Sequence, residues 1–150
     1  MATVGRLLLL RHALAGEKLP NRVQDFDRGL DEEGEAVAAL LPNTVARHLI
    51  PAKIFSSPYR RCVDTVRPLA RTLGLLIHED ERFAGSRSGS ELRNALLRLP
   101  ANAVVCTHGE IIERLFDDAI TCDKGAFWIV ERSGSDELAP ALYVDVPSRR

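Results

Sequence analysis

Four consecutive leucines, Leu7 to Leu10, run without a break into Arg11 and His12. An apolar run this short reads as a strand buried on both faces, the burial a parallel sheet acquires when helices cover it on either side. In open sheets of that kind, ligands bind outside the C-terminal ends of the strands. The run therefore implies an α/β chain with a fixed cation and an imidazole at the rim, where they can face a small anion. A polar pair closing a strand is commonplace, so the inference depends on whether other strands end in the same way.

Two others do. Ala103 to Thr107 reads as a buried strand and runs into His108-Gly109, and the short strand Lys53 to Phe55 leads into Ser56-Ser57-Pro58-Tyr59-Arg60-Arg61. Helical signals separate these strands. Asp31 is placed to cap a helix with Glu32 and Glu33 in its first turn and Ala36, Val37, Leu40 and Leu41 as its apolar stripe. Pro42 is expected to end or kink that helix, with a second piece through Leu49. Ser57 as N-cap and Pro58 as first helical residue open a helix that runs to Leu73, kinked at Pro68 and stopped by Gly74. Glu91 to Leu99 and Gly109 to Phe116 read as further helices. Strands are expected at Thr3 to Leu10, Leu75 to His78, Ala126 to Glu131 and Ala141 to Val146. The polar stretches Ala15 to Arg28 and Glu79 to Gly89 read as surface loops, which commonly carry function. Repeated strand–helix alternation predicts a three-layer α/β/α fold with a mainly parallel central sheet, as a single domain over 1–150.

Composition narrows the partners. Twenty basic and twenty-one acidic side chains nearly cancel, so no global field draws the chain to nucleic acid or to an anionic membrane. Cys62, Cys106 and Cys122 are odd in number, far apart and without metal-ligand spacing, which suits free thiols in a reducing compartment. None of the four histidines sits in a metal-binding motif, and no metal or other cofactor is expected. Leu7 to Leu10 is too short for the apolar core of a secretory signal, and no stretch has the length of a membrane span, so a cytoplasmic location is expected.

Parallel strands point their C-terminal ends the same way, so Arg11-His12, Ser57 to Arg61 and Thr107-His108-Gly109-Glu110 can converge on one crevice. Ser57, Arg61 and Thr65 share one helix face, and Arg60 points about 100° away from it. Two histidines, two arginines and two helix N-termini make a site the size of a phosphate group.

These motifs resemble those of the histidine phosphatase superfamily, whose members are phosphoglycerate mutase-like. Arg11-His12-Ala13 is similar to its Arg-His-Gly signature, in the Arg-His-Ala form common in small bacterial phosphohistidine phosphatases. Ser57 to Cys62 with Thr65 resembles its Ser-x-x-x-Arg-Ala/Cys-x-x-Thr motif, and Thr107-His108-Gly109 its closing Ser/Thr-His-Gly. Arg28-Gly29-Leu30-Asp31 with Gly34 is similar to the family's Arg-x-Leu-Thr/Asp-x-x-Gly helix start. Lys124-Gly125-Ala126-Phe127-Trp128 is like the Lys-Gly-x-x-Trp strand of an actinobacterial-type subgroup that includes a domain accompanying some Nudix hydrolases. The likeness runs from the first strand to about Val130.

The resemblance implies a phosphoglycerate mutase-like fold with a minimal cap and a metal-independent phosphatase acting through phosphohistidine. His12 would be the nucleophile, and a neutral imidazole can attack phosphorus. Arg11, Arg61, His108 and Gly109 would hold the phosphoryl oxygens, and the two arginines would keep His12 unprotonated. The proton donor is open. One alignment gives Glu81, with Glu79 in reserve; another puts the carboxylate position on Gly85 and leaves no donor. The expected substrate is a phosphorylated small molecule or a phosphohistidine protein, with leaving groups that depart easily favoured. A non-catalytic phosphate-binding module and a mutase are the alternatives, the latter disfavoured by the little chain available to enclose a substrate. Arg28 could reach the pocket from its loop. Arg60, His48, His78, Phe127, Trp128 and Cys62 are read as structural or solvent-facing.

Overall fold

The computed structural model describes residues 5–85, 88–134 and 137–146. The leucine run forms strand β1 (Gly5–Arg11), with all four leucines fully buried. It is followed by α1 (Arg22–Phe26), α2 (Glu32–Ala46), β2 (Lys53–Ser56), α3 (Arg60–Leu73) and β3 (Ile77–Glu79). A 3-10 turn at Glu81–Phe83, α4 (Gly89–Leu97), β4 (Ala103–Thr107), α5 (Gly109–Leu115), β5 (Phe127–Arg132) and β6 (Leu138–Val144) complete the described chain.

The six strands make one sheet in the order β3-β2-β4-β1-β5-β6. β1 pairs in parallel with β4, β4 with β2 and β2 with β3, while β5 runs antiparallel to β1 and to β6. The sheet is thus mostly parallel, with antiparallel strands on one side. Side chains alternate across a strand, so β1 feeds both layers. Leu7 and Leu9 pack with Leu92, Leu96 and Ile112, on the side of α4 and α5. Leu8 and Leu10 pack with Val37, Leu41, Val66 and Leu69, on the side of α2 and α3. The expected three layers are present.

Register positions the site. Leu10 lies opposite Cys106 and Arg11 opposite Thr107, while Ser56 lies opposite Cys106 from the other side. The His12 N–H continues the ladder to the Thr107 carbonyl (3.1 Å) and the Ser57 N–H to the Cys106 carbonyl (2.9 Å). Three strands therefore release their chains at one level of one rim.

Several local expectations change. The strand start expected at Thr3 lies outside the described residues, but β1 extends to include Arg11. The loop Ala15 to Arg28 contains α1, capped by Asn21, whose side chain accepts the Val23 and Gln24 N–H groups. Pro42 neither ends nor splits α2, which runs on to Ala46 before the chain leaves the helix. Ser57 does not cap α3: the helix starts at Arg60 behind Tyr59, and the Ser57 hydroxyl is used elsewhere. Gly74 does end α3, in the left-handed conformation (φ 67°) that glycine adopts without strain. The stretch after β3 is not wholly a solvated loop, because Phe83 is buried in the core and Ser88 opens α4 with a capping box to Glu91.

Candidate active site

His12 is 8 % exposed at the end of β1, and its Nδ1 lies 2.8 Å from the Ala13 carbonyl. A carbonyl can only accept, so Nδ1 carries the proton and the neutral ring presents Nε2 with a free lone pair. Burial is the largest influence on this ring and disfavours the imidazolium. His108, Arg61 and Arg11 push the same way against the Ala13 carbonyl, and the pKa falls to about 3. The arginines thus act as expected, but burial outweighs them.

The backbone around His12 is held by Thr65, a fully buried residue one turn beyond Arg61 on α3. Its hydroxyl accepts the Ala13 N–H (2.9 Å) and donates to the Arg61 carbonyl (2.6 Å). The Arg-x-x-x-Thr spacing therefore ties the chain just after His12 to the helix that carries Arg61.

The two arginines are mounted alike. Arg11 donates from Nη1 to the Cys122 carbonyl (2.8 Å), and Arg61 donates from Nη1 to the Asp25 carbonyl (3.0 Å). In each, Nε is buried and has no hydrogen-bond partner among the described residues. Buried polar groups are ordinarily satisfied. A pair of anchored guanidiniums with unmet donors suits an incoming oxyanion, which arginine binds with two parallel bonds. Gly109 makes room for this arrangement, since a Cβ there would lie 2.7 Å from Arg11 Cζ.

His108, 4 % exposed, sits with its ring centroid 5.5 Å from that of His12. Its Nε2 is 3.0 Å from the Ser57 hydroxyl and 3.7 Å from Cys62 Sγ. The Ser57 oxygen also accepts the Tyr59 N–H at 3.3 Å. Tyr59 fills the corner: its ring lies 5.0 Å from His108, 4.9 Å from Phe26 and 4.7 Å from Arg61 Cζ. The four residues expected to meet, Arg11, His12, Arg61 and His108, are therefore gathered with their supports at one rim.

Glu81 is placed differently. It lies on the exposed side of the 3-10 turn after β3, and its carboxylate makes no hydrogen bond or ion pair among the described residues. The turn itself is anchored toward the site, because the Thr107 hydroxyl donates to the Phe83 carbonyl (2.6 Å). Glu79 is exposed on β3, opposite Ser56. Gly85, at φ 110°, packs against Ile111.

One residue near the site went unread in the sequence. Asp25, on α1, is 6 % exposed, and its Oδ2 lies 3.5 Å from Arg61 Nη1. Its Oδ1 accepts the Leu19 N–H (3.1 Å) and Arg28 Nε (3.0 Å). Burial works against its ionisation, but the Leu19 N–H, Arg61 and Arg28 outweigh burial and hold the carboxyl below its usual range. Arg28 also donates to the carbonyls of Ala15 and Gly16, clasping its own loop. Arg28 stands out in the sequence through its motif, whereas Asp25 has only its place three residues before Arg28 to mark it. Arg60 is largely exposed and pairs with Asp64 and Asp27, in keeping with its expected outward direction.

Comparison with known proteins adds three findings. The family model of the histidine phosphatase superfamily (branch 1) matches residues 7–90. An 8-oxo-(d)GTP phosphatase of Mycolicibacterium smegmatis is 28% identical over 161 aligned positions, covering 96% of this chain and 49% of that protein. The chain thus spans about half the length of this curated relative. Among solved structures, the Agrobacterium tumefaciens protein assigned as the phosphohistidine phosphatase SixA superposes with a TM-score of 0.77 at 24% identity, over 95% of this chain and 99% of that one. A mycobacterial glucosyl-3-phosphoglycerate phosphatase in complex with VO3 gives a TM-score of 0.71 at 17% identity, over 90% and 95%. These structural likenesses establish the fold.

Proposed function

The chain belongs to branch 1 of the histidine phosphatase superfamily, and from that premise we propose that it is a phosphatase working through a covalent phosphohistidine on His12. The observation that carries the reading is the pairing of an unprotonated, buried imidazole with two anchored guanidiniums whose Nε groups have no partner among the described residues. In the first step His12 Nε2 bonds to phosphorus as the bond to the leaving group breaks. Arg11, Arg61 and His108 hold the equatorial oxygens and stabilise their charge, which is where most of the catalysis of phosphoryl transfer lies. In the second step water attacks phosphorus, the Nε2–P bond breaks and inorganic phosphate leaves, returning neutral His12.

Glu81 is the proposed donor of a proton to the leaving group and the acceptor of one from water. Its exposure and lack of partners suit this role less well than the buried nitrogen ligands suit theirs. We therefore favour substrates whose leaving group departs without strong acid help, a phosphohistidine protein or a phosphoric anhydride above a stable sugar phosphate. Between β3 and β4 the described chain has only the 3-10 turn and the nine-residue α4, so little encloses a substrate and water has ready access. That favours hydrolysis over return of the phosphoryl group as in a mutase. The whole chain is taken as one such domain, with phosphorylated molecules rather than nucleic acid or membrane as its partners.

The test is hydrolysis of an aryl phosphate and of a phosphohistidine peptide without added metal, by wild type and His12→Ala. Wild type should turn over both, and a rapid alkaline quench, under which the P–N bond survives, should trap one phosphoryl group on His12 by mass spectrometry. Equal background in both proteins would leave only a phosphate-binding module.

A further inference from the structure

Within the proposed site, Arg61 is held by a charged residue outside the motifs. It is 7 % exposed, and its one described hydrogen bond uses Nη1. Nε, on the opposite edge of the guanidinium, is buried without a partner among the described residues. Both Nη1 contacts come from a single residue, the backbone carbonyl of Asp25 at 3.0 Å and its Oδ2 at 3.5 Å. We propose that Asp25 is the positioning residue of the phosphoryl site, gripping Arg61 by Nη1 so that its Nε edge is left free for the phosphoryl oxygens. This rests on Arg61 being a phosphoryl ligand, as proposed above.

Three arguments support the assignment. First, α1 is five residues long, too short to be stable as an isolated helix, so its place depends on tertiary contacts. Asp25 supplies them, its Oδ1 tying Leu19 and Arg28 together while Arg28 holds the carbonyls of Ala15 and Gly16. Second, a buried guanidinium without a counter-charge is costly, and Asp25 supplies that charge before any substrate arrives. Third, the carboxylate meets Arg61 on the side away from the unpartnered Nε, so it need not compete with a bound oxyanion for that donor. The substrate then meets an arginine already turned to receive it, and preorganised charge is what transition-state stabilisation requires.

The test measures inhibition of aryl phosphate hydrolysis by inorganic phosphate for wild type, Asp25→Ala, Asp25→Asn, Arg61→Ala and the Asp25→Ala/Arg61→Ala double variant, with thermal unfolding alongside. Asp25→Ala should weaken phosphate binding about tenfold, in line with loss of a charge-assisted contact, and lower kcat more than it raises KM. Asp25→Asn, which keeps an acceptor for Leu19 but loses the charge facing Arg61, should bind phosphate more tightly than Asp25→Ala yet still several-fold more weakly than wild type. In the Arg61→Ala background, removing Asp25 should change phosphate affinity by less than twofold. The proposal is overturned if Asp25→Ala binds phosphate as tightly as wild type or tighter, or if the two losses simply add. If Asp25→Ala does not fold, Asp25→Asn carries the test, with wild-type affinity the overturning result. Wild-type phosphate affinity in Arg61→Ala alone would instead sink the underlying reading of Arg61.

Discussion

Replacing His12 by Gln should change how stability depends on pH, and the size of the change follows from the burial of the ring. The folded pKa of His12 is about 3 against 6.5 when unperturbed. Below pH 6.5 the unfolded chain takes up a proton at this residue that the folded chain refuses. Stability is therefore lost as pH falls through the window from 6.5 to about 3. Each unit of separation is worth about 1.4 kcal/mol, so the full loss approaches about 5 kcal/mol. Between pH 7.5 and 5 the linkage integrates to about 2 kcal/mol. Gln can donate to the Ala13 carbonyl but does not titrate, so His12→Gln lacks this component while sharing every carboxylate contribution with wild type. Urea unfolding of both proteins at pH 7.5, 6 and 5 isolates it. The difference in unfolding free energy should shift by about 2 kcal/mol in favour of the variant as pH falls. Parallel curves would show that His12 titrates normally in the folded protein, and the argument for a buried, unprotonated nucleophile would collapse.

Three further substitutions probe the scaffold. Thr65→Val keeps the side chain's shape but leaves the buried Ala13 N–H without its acceptor, so unfolding free energy should fall by about 1–3 kcal/mol, with a drop in kcat for aryl phosphate hydrolysis. Gly109→Ala puts a Cβ 2.7 Å from Arg11 Cζ and should lower kcat/KM by about a hundredfold while circular dichroism stays native. Ser88→Ala removes the capping box of α4 and should cost about 1 kcal/mol in urea unfolding, leaving kcat/KM within twofold of wild type.

The strand-end motifs were legible because their chemistry is local. Each of Arg11-His12, Ser57 to Arg61 and Thr107-His108 follows directly from an apolar run, and parallel pairing alone is enough to bring them to one rim. The helix start at Asp31 and the stop at Gly74 were readable for the same reason, since a cap needs only its own turn. Pro42 misled because the cost of a proline inside a helix is set against packing that local patterns do not show. Here Leu41 and Val45 on either side of it are buried in the core, and the helix runs on.

What the amino-acid order determined by itself was therefore the class of fold and which imidazoles and guanidiniums stand at the strand ends, both carried by periodicity and near-neighbour spacing. What only the tertiary structure decided was how those groups are held and charged. Ser57 turned from helix cap to partner of His108, Asp25 came from a short helix in an apparent loop to meet Arg61, and burial depressed the His12 pKa more than either arginine did. Each of these depends on contacts between distant segments and on exclusion of water, and neither has a signature in the spacing of residues along a chain.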